Sequence, residues 1–243
     1  MLITALLSPE FFKVSLFVSV ELLNQESVVA YLIDKKVISG SDNPQVEVLT
    51  GGVSNVVLAI TTSNQKLVLK QALAELAVSE KWEADQRRAI VEADALNLFN
   101  QLSPDQVPKL VFLDPVRFIL VLERVPVGST VWKSDLLAGV INPDIGAKLG
   151  KTLATWHNYG QENPEVKLKF MEDALFDQLR IDPFYRFVAA KNPQIEVAIR
   201  KLINELEADK TTIVHGDFSP KNIMVAMNDE IYILDFEVTH VGN

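Results

Sequence analysis

The residues with the clearest chemical content lie late in the 243-residue chain. There His215-Gly216-Asp217-Phe218-Ser219-Pro220-Lys221-Asn222 is followed, thirteen residues on, by Asp235-Phe236-Glu237. Two aspartates and an asparagine offer oxygen atoms to a hard divalent cation, which takes one or two protein carboxylates and fills its remaining positions with water and substrate phosphate. Phosphoryl transfer asks for this set. It needs in-line positioning and charge neutralisation more than covalent work, with one Asp orienting or deprotonating the attacking hydroxyl and an Asn and an Asp on the metal. On that template Asp217 is the base, and Asn222 and Asp235 are ligands of Mg²⁺. An isolated HGD would read as a turn with a polar cap. The joint spacing, H-x-D-x₄-N and then D-F-E, carries the assignment.

The elements around these residues must bring them together. Ile223–Met227 and Ile231–Leu234 are apolar and β-rich, and Asn228-Asp229-Glu230 between them is polar, which predicts a hairpin. A two-residue turn at Asn228-Asp229 sets Asn222 opposite Asp235, with Cβ atoms roughly 4.5–5.5 Å apart. A three-residue turn slips that register by one.

The segments HGDFSPKNIMV and ILDFE resemble the aminoglycoside phosphotransferase and choline kinase-like group of small-molecule kinases, whose fold is that of protein kinases. Protein kinases themselves typically carry Arg at the place of Gly216, Lys at Ser219 and Gly at Glu237, and the departures point to a small-molecule acceptor. The resemblance runs from about Glu21 to the end and is sharp only in the last thirty residues. It implies a bilobal α+β fold. An N-lobe over 21–124, an antiparallel sheet with one helix, would grip nucleotide, and a mainly helical C-lobe over 125–243 would carry the catalytic hairpin. It also implies C-terminal helices beyond Asn243 that complete the acceptor pocket, and it leaves residues 1–20 as an extension without a counterpart. Within the group, Lys70-Gln71-Ala72, the region from Trp82 to Glu92 and Asp182-Pro183-Phe184 are similar to methylthioribose kinase-like members.

The upstream sequence can be read for a nucleotide-gripping lobe. Val46–Thr50, Gly51-Gly52-Val53-Ser54-Asn55 and Val56–Ile60 read strand, tight polar turn, strand. Glycines let backbone N–H groups approach phosphate closely, so Gly51, Gly52, Ser54 and Asn55 are candidates to contact ATP. The next strand ends near Lys70, whose ammonium suits the α- and β-phosphates. Ser79–Leu102 is helical in pattern, and the resemblance makes Glu92 the partner of Lys70, with Asp94 as the substitute. Read from the residues alone, Glu92 would be a solvated helix position paired with Arg88. Val111–Leu113 and Arg117–Glu123 predict a further hairpin. In the resembled fold the chain that follows is the hinge, where backbone groups of about Glu123 to Val125 meet the adenine edge.

Farther on, Asn142-Pro143 caps and opens a helix with Ile145, Leu149, Leu153 and Trp156 on its buried stripe, closed by Gly160. Gly146, Gly150 and Ala154 leave a flat ridge for a neighbouring helix. Gly146–Thr152 imitates a phosphate-binding P-loop but has three residues between its glycines where four are needed, and it falls inside a helical pattern. His157 has no second His or Cys at metal spacing. Pro183 predicts a kink or break between Asp182 and itself. The stretch Leu179–Arg186 is dense in groups that could read a polar ligand, although a helix boundary with exposed arginines explains it as well. His215 is expected to brace the loop and not to move protons.

Composition sets the outer limits. A chain 48% hydrophobic can bury a sizeable core. No cysteine means no disulfide, no Cys-zinc site and no thiol catalysis, and fits an ATP-supplied cytoplasmic setting. A net charge of −9 argues against nucleic acid. Pro9, Glu10 and Lys13 interrupt the apolar start, so neither a signal peptide nor a membrane span is expected. The expected activity is Mg²⁺- and ATP-dependent phosphorylation of a small-molecule hydroxyl on a sugar, an amino alcohol or an aminoglycoside. The competing reading is a non-catalytic nucleotide-binding or scaffold protein of the same fold.

Overall fold

A five-stranded antiparallel sheet in the order β1-β2-β3-β5-β4 is formed by β1 (Gln45–Val48), β2 (Asn55–Thr61), β3 (Lys66–Ala72), β4 (Leu110–Asp114) and β5 (Ile119–Glu123). The computed structural model describes residues 21–50, 52–76 and 82–243. Residues 1–20 and Gly51, both of which figure in the sequence reading, lie outside the described residues. Strand alternation divides the sheet's side chains between two layers. Leu67, Leu69, Ile119 and Val121 face one way and pack with Val28, Tyr31 and Leu32 of α1 (Val28–Asp34), a helix the periodicity analysis did not anticipate. Ala72, Leu120 and Leu122 face the other way and pack with Ala93, Leu96 and Phe99 of α2 (Arg88–Leu102). Lys70 shares the α2 side, which is also the cleft side.

The α1 layer is fixed by polar contacts as well as by apolar burial. Gln71 is fully buried, and its amide accepts from the Leu23 N–H at 2.8 Å and donates to the Glu21 carbonyl at 3.3 Å. Tyr31 donates to Asp114, whose other oxygen accepts the N–H groups of Val116 and Arg117 in the β4–β5 turn. A buried polar group costs free energy unless it is bonded, and these pairings satisfy each group.

Of the predicted helix over Ser79–Leu102, residues 79–81 lie outside the described residues, and within the described part the helix starts at Arg88. Before it, Glu83 bridges Glu75 in antiparallel fashion, Leu76 N–H donates to the Trp82 carbonyl and Ala84 N–H to that of Ala74. Trp82 therefore sits on an extended strip ahead of α2 and not within it. Charges at helical spacing mimicked a turn there, but the backbone hydrogen bonds went to the chain leaving β3.

The second part is mainly helical. Following the two-residue β6 (Thr130–Val131), α3 (Trp132–Leu137) leads to α4 (Pro143–Glu162), where the Asn142 side chain caps the Asp144 N–H. α4 runs through Gly160 instead of ending there. That glycine is buried against β7 (Thr212–Val214), and a Cβ on it would stand 2.7 Å from the Ile213 nitrogen. Close approach of helix to strand is its role. Gly146, Gly150 and Ala154 face solvent, with no helix laid along them among the described residues. The P-loop look-alike lies inside α4, as its helical pattern indicated.

After α5 (Pro164–Lys169), one helical run spans α6 (Ala174–Phe176), a π-wound stretch Asp177–Arg186, and α7 (Phe187–Lys191). The expected break at Asp182-Pro183 does not occur. The wider winding takes the proline, which has no N–H to donate, into a continuous run. α8 (Glu196–Ala208) leads into β7, which pairs with β10 (His240–Gly242).

The catalytic-motif hairpin is β8 (Ile223–Val225) and β9 (Ile231–Ile233), with β6 added on the β8 edge. Ile223 pairs with Ile233 and Val225 with Ile231, and Ala226 N–H donates to the Glu230 carbonyl. The loop is thus the three residues Met227-Asn228-Asp229, with Asp229 at φ 59°, and the register is the slipped one. Asn222 faces Leu234, whose N–H donates to the Asn222 carbonyl at 2.9 Å. Phe236 is fully buried among Phe99, Trp156 and His215, at ring separations of 5.3, 5.9 and 4.7 Å, and ties this hairpin to α2 and α4.

Candidate active site

The slipped register would carry Asp235 away from Asn222 if the strand continued in its pleat. Asp235 instead takes φ 69°, a left-handed conformation that Asp and Asn adopt more readily than other side-chain-bearing residues. Its Oδ1 lies 3.0 Å from Lys70 Nζ, and Lys70 Nζ lies 2.6 Å from Glu92 Oε1. Asp94, the substitute partner, instead bonds Lys169 on the surface at 2.7 Å. Burial would depress the Lys70 ammonium, but Asp235, Glu92 and Glu237 outweigh it and hold the group above the usual lysine range. Burial pushes the Glu92 carboxyl up, and Lys70 opposes it incompletely.

Asp217 is held by a different set. Its Oδ2 accepts from Arg180 Nη2 at 2.6 Å, Lys221 Nζ at 2.8 Å and Asn222 Nδ2 at 3.1 Å. Gly216 just before it sits at φ 79°, and a Cβ there would stand 2.4 Å from the Val238 carbonyl, so glycine is required by both conformation and space. His215 is buried. Its Nδ1 accepts the Asp217 N–H at 3.2 Å, which leaves Nε2 to donate to the Leu234 carbonyl at 2.9 Å. With both ring nitrogens engaged and burial holding the imidazole below the ordinary histidine range, His215 stays neutral and joins the Asp217 loop to the strand before Asp235.

Two cavities meet here. The first, of about 400 Å³, is lined by Gly52, Ser54, Asn55, Lys70, Glu92, Glu123, Val125, Asn222 and Asp235, so every candidate nucleotide residue that the structure describes lies on its wall. At the Glu123–Val125 edge, Glu123 N–H is taken by the Lys109 carbonyl and Arg124 N–H by that of Lys66. The Val125 N–H has no partner among the described residues. The second cavity, of about 390 Å³, has Trp82, Pro183 and Phe184 on its apolar side and Arg180, Lys221 and Glu237 on its polar side. Asn222 and Asp235 line both.

Oxygen atoms suited to a hard cation concentrate at this junction. The Asn222 amide nitrogen points to Asp217, which turns its oxygen the other way, and Asp235 Oδ2 is not engaged by Lys70. Glu237 Oε2 is buried without a hydrogen bond, although Arg88 Nε lies 3.2 Å from it. Burial and the nearby Asp235 push the Glu237 carboxyl up to about 7. Glu237 Oε2 is thus ion-paired with Arg88, and the oxygens left free for a cation are those of Asn222 and Asp235. No group of three or more His, Cys, Asp or Glu gathers for a metal among the described residues, so any Mg²⁺ here would depend on the amide of Asn222 and on phosphate oxygens.

Arg88 and Arg180 are the residues that sequence reasoning undervalued. Taken without the other motifs, Arg88 reads as a surface partner for Glu92, but it is 1% exposed and donates to the carbonyls of Ser54, Leu73, Ala84 and Asp85, which anchors the end of the glycine turn. The density of polar groups in Leu179–Arg186 was the available signal for Arg180.

Residues 45–243 match the family described as "Phosphotransferase enzyme family". A methylthioribose kinase from Enterobacter sp. (strain 638) is 26% identical over 85% of this chain and 59% of its own length. One from Geobacillus kaustophilus (strain HTA426) is 27% identical over 74% and 52%. The chain thus spans less than two thirds of these relatives. A choline kinase from Cryptosporidium parvum superposes with a TM-score of 0.58 at 15% identity, over 90% of this chain and 66% of that one. A spectinomycin phosphotransferase with ADP and its antibiotic bound superposes with a TM-score of 0.57 at 14% identity, over 90% and 70%. These likenesses show the protein-kinase-like fold. No helix among the described residues is long and apolar enough to cross a membrane.

Proposed function

From the premise that this chain belongs to the phosphotransferase enzyme family, we propose that it transfers the γ-phosphate of ATP, with Mg²⁺, to a hydroxyl of a small molecule. The observation that carries this reading is the Lys70 ammonium held between Glu92 and Asp235 on the wall of one cavity, with Asp217 bonded to Asn222, which lines both that cavity and a second. The first cavity takes the nucleotide. Its adenine edge meets the Val125 N–H, and its α- and β-phosphates meet Lys70 and the turn from Gly52 to Asn55. Mg²⁺, when bound by Asn222 and Asp235, supplies charge neutralisation on the phosphates. The acceptor enters from the second cavity. Asp217 orients its hydroxyl and takes its proton, and Glu237 adds negative charge beside the metal ligands.

Among acceptors, a neutral sugar with an apolar substituent suits the Trp82, Pro183 and Phe184 wall, and the relatives' name makes methylthioribose the first to try. An aminoglycoside or choline is the alternative. The reaction belongs to an ATP-supplied compartment such as the cytoplasm. The test is a mass-spectrometric screen of hydroxyl compounds with Mg-ATP, including methylthioribose, choline and spectinomycin. A phosphorylated product that disappears in Asp217→Asn supports the proposal. Binding of Mg-ATP with no product from any acceptor favours a non-catalytic nucleotide-binding protein.

A further inference from the structure

Arg180 is the strongly placed polar group that these roles leave unused. Its side chain is 16% exposed, it lines the second cavity, and it extends from the π-wound stretch toward Asp217 Oδ2 at 2.6 Å and Glu237 Oε1 at 3.8 Å. Stability is a poor reason for this arrangement, because half-buried ion pairs forfeit hydration and often do no better than apolar replacements. Helical stretches of π winding recur at functional sites. The decisive feature is asymmetry. Arg180, Lys221 and Asn222 all converge on Oδ2 of Asp217, and no donor among the described residues reaches Oδ1.

We infer that Arg180 is a positioning residue for phosphoryl transfer, pinning one oxygen of Asp217 so that the other faces the acceptor hydroxyl. The inference rests on the kinase reading above. In the step it serves, the acceptor O–H bond breaks with its proton passing to Asp217 Oδ1. The acceptor oxygen bonds the γ-phosphorus, and the bond to the β,γ-bridging oxygen breaks with its electron pair leaving on ADP. Arg180 touches neither reacting atom. It acts by removing the rotational freedom of the carboxylate, and Glu237 Oε1, 3.8 Å from the same Nη2, holds that nitrogen from a second direction.

The test measures Mg-ATP binding, thermal melting and Mg-ATP turnover, with methylthioribose and with water alone, for the wild type, Arg180→Gln, Arg180→Lys, Asp217→Asn and the Asp217→Asn/Arg180→Gln double variant. Arg180→Gln is expected to lower kcat by ~10²-fold, the scale of a misplaced reactive group, with the KM for Mg-ATP and the melting temperature nearly unchanged. Arg180→Lys should recover part of the loss and carries the test if the glutamine variant does not fold. Adding Arg180→Gln to Asp217→Asn should cost nothing further. Equal losses in both backgrounds, or wild-type turnover in Arg180→Gln, overturn the inference alone. A wild type that binds no Mg-ATP overturns the kinase reading itself. One that binds it but yields no product from any acceptor of the screen above overturns the kinase reading as well, and the inference with it.

Discussion

The two charged clusters at the cleft are built in opposite senses. At the proposed nucleotide side one cation, Lys70, serves two buried or half-buried acids, Glu92 and Asp235. At the proposed acceptor side one acid, Asp217, is served by two cations and an amide. Where the cation is scarce, removing it strands two negative charges in a poorly hydrated place. Where donors are in excess, losing one leaves the carboxylate bonded. The first cluster is therefore expected to carry stability and, on the proposed function, the second to carry rate.

Asp217→Asn should break this contrast most visibly if it is wrong. It is expected to lower turnover by ~10²–10⁴-fold, the usual worth of a general base, while Mg-ATP affinity measured by calorimetry stays near wild type. Lys70→Met should show the reverse emphasis. Stranding Glu92 and Asp235 is expected to cost about 3–5 kcal/mol in urea unfolding, together with loss of Mg-ATP binding, and wild-type stability would refute the asymmetry.

His215 joins the two sides, and its effect depends on pH. Burial lowers the proton affinity of its imidazole in the folded state, so the unfolded chain binds that proton more readily. Stability from the neutral ring is complete above about pH 6.5, the ordinary histidine value, and is lost as pH falls toward the lower folded value. Wild type should thus lose more stability than His215→Gln when urea melts are repeated at successively lower pH. Lys221→Ala should matter least to stability. Its side chain is 52% exposed, and an exposed pair contributes about 0–1 kcal/mol, so a larger loss would mean that the acceptor-side cluster also holds the fold.

Much of this architecture was legible in sequence because it depends on local pattern. Short apolar runs between polar turns marked β2, β3 and β5, and the position of Lys70 near the end of β3 followed from counting along the strand. The helical charge pattern around Glu92 was also readable. What escaped was settled by tertiary choice. Whether Asn228-Asp229 turned in two residues or three was decided by Asp229 accepting a left-handed backbone. The extended strip at Glu83 arose from a bridge to Glu75 that no helical period announces. Arg88 and Arg180 looked like surface charges, since the carbonyls and carboxylates that receive them come from segments far away in the chain.

The left-handed backbone at Asp235 decides how that position can be probed. A substitution to alanine there would confound loss of the carboxylate with a conformational penalty, because few side chains tolerate φ 69°. Asparagine shares the shape and the backbone tolerance, so Asp235→Asn isolates the charge. A difference between the asparagine and alanine variants would report the strain itself.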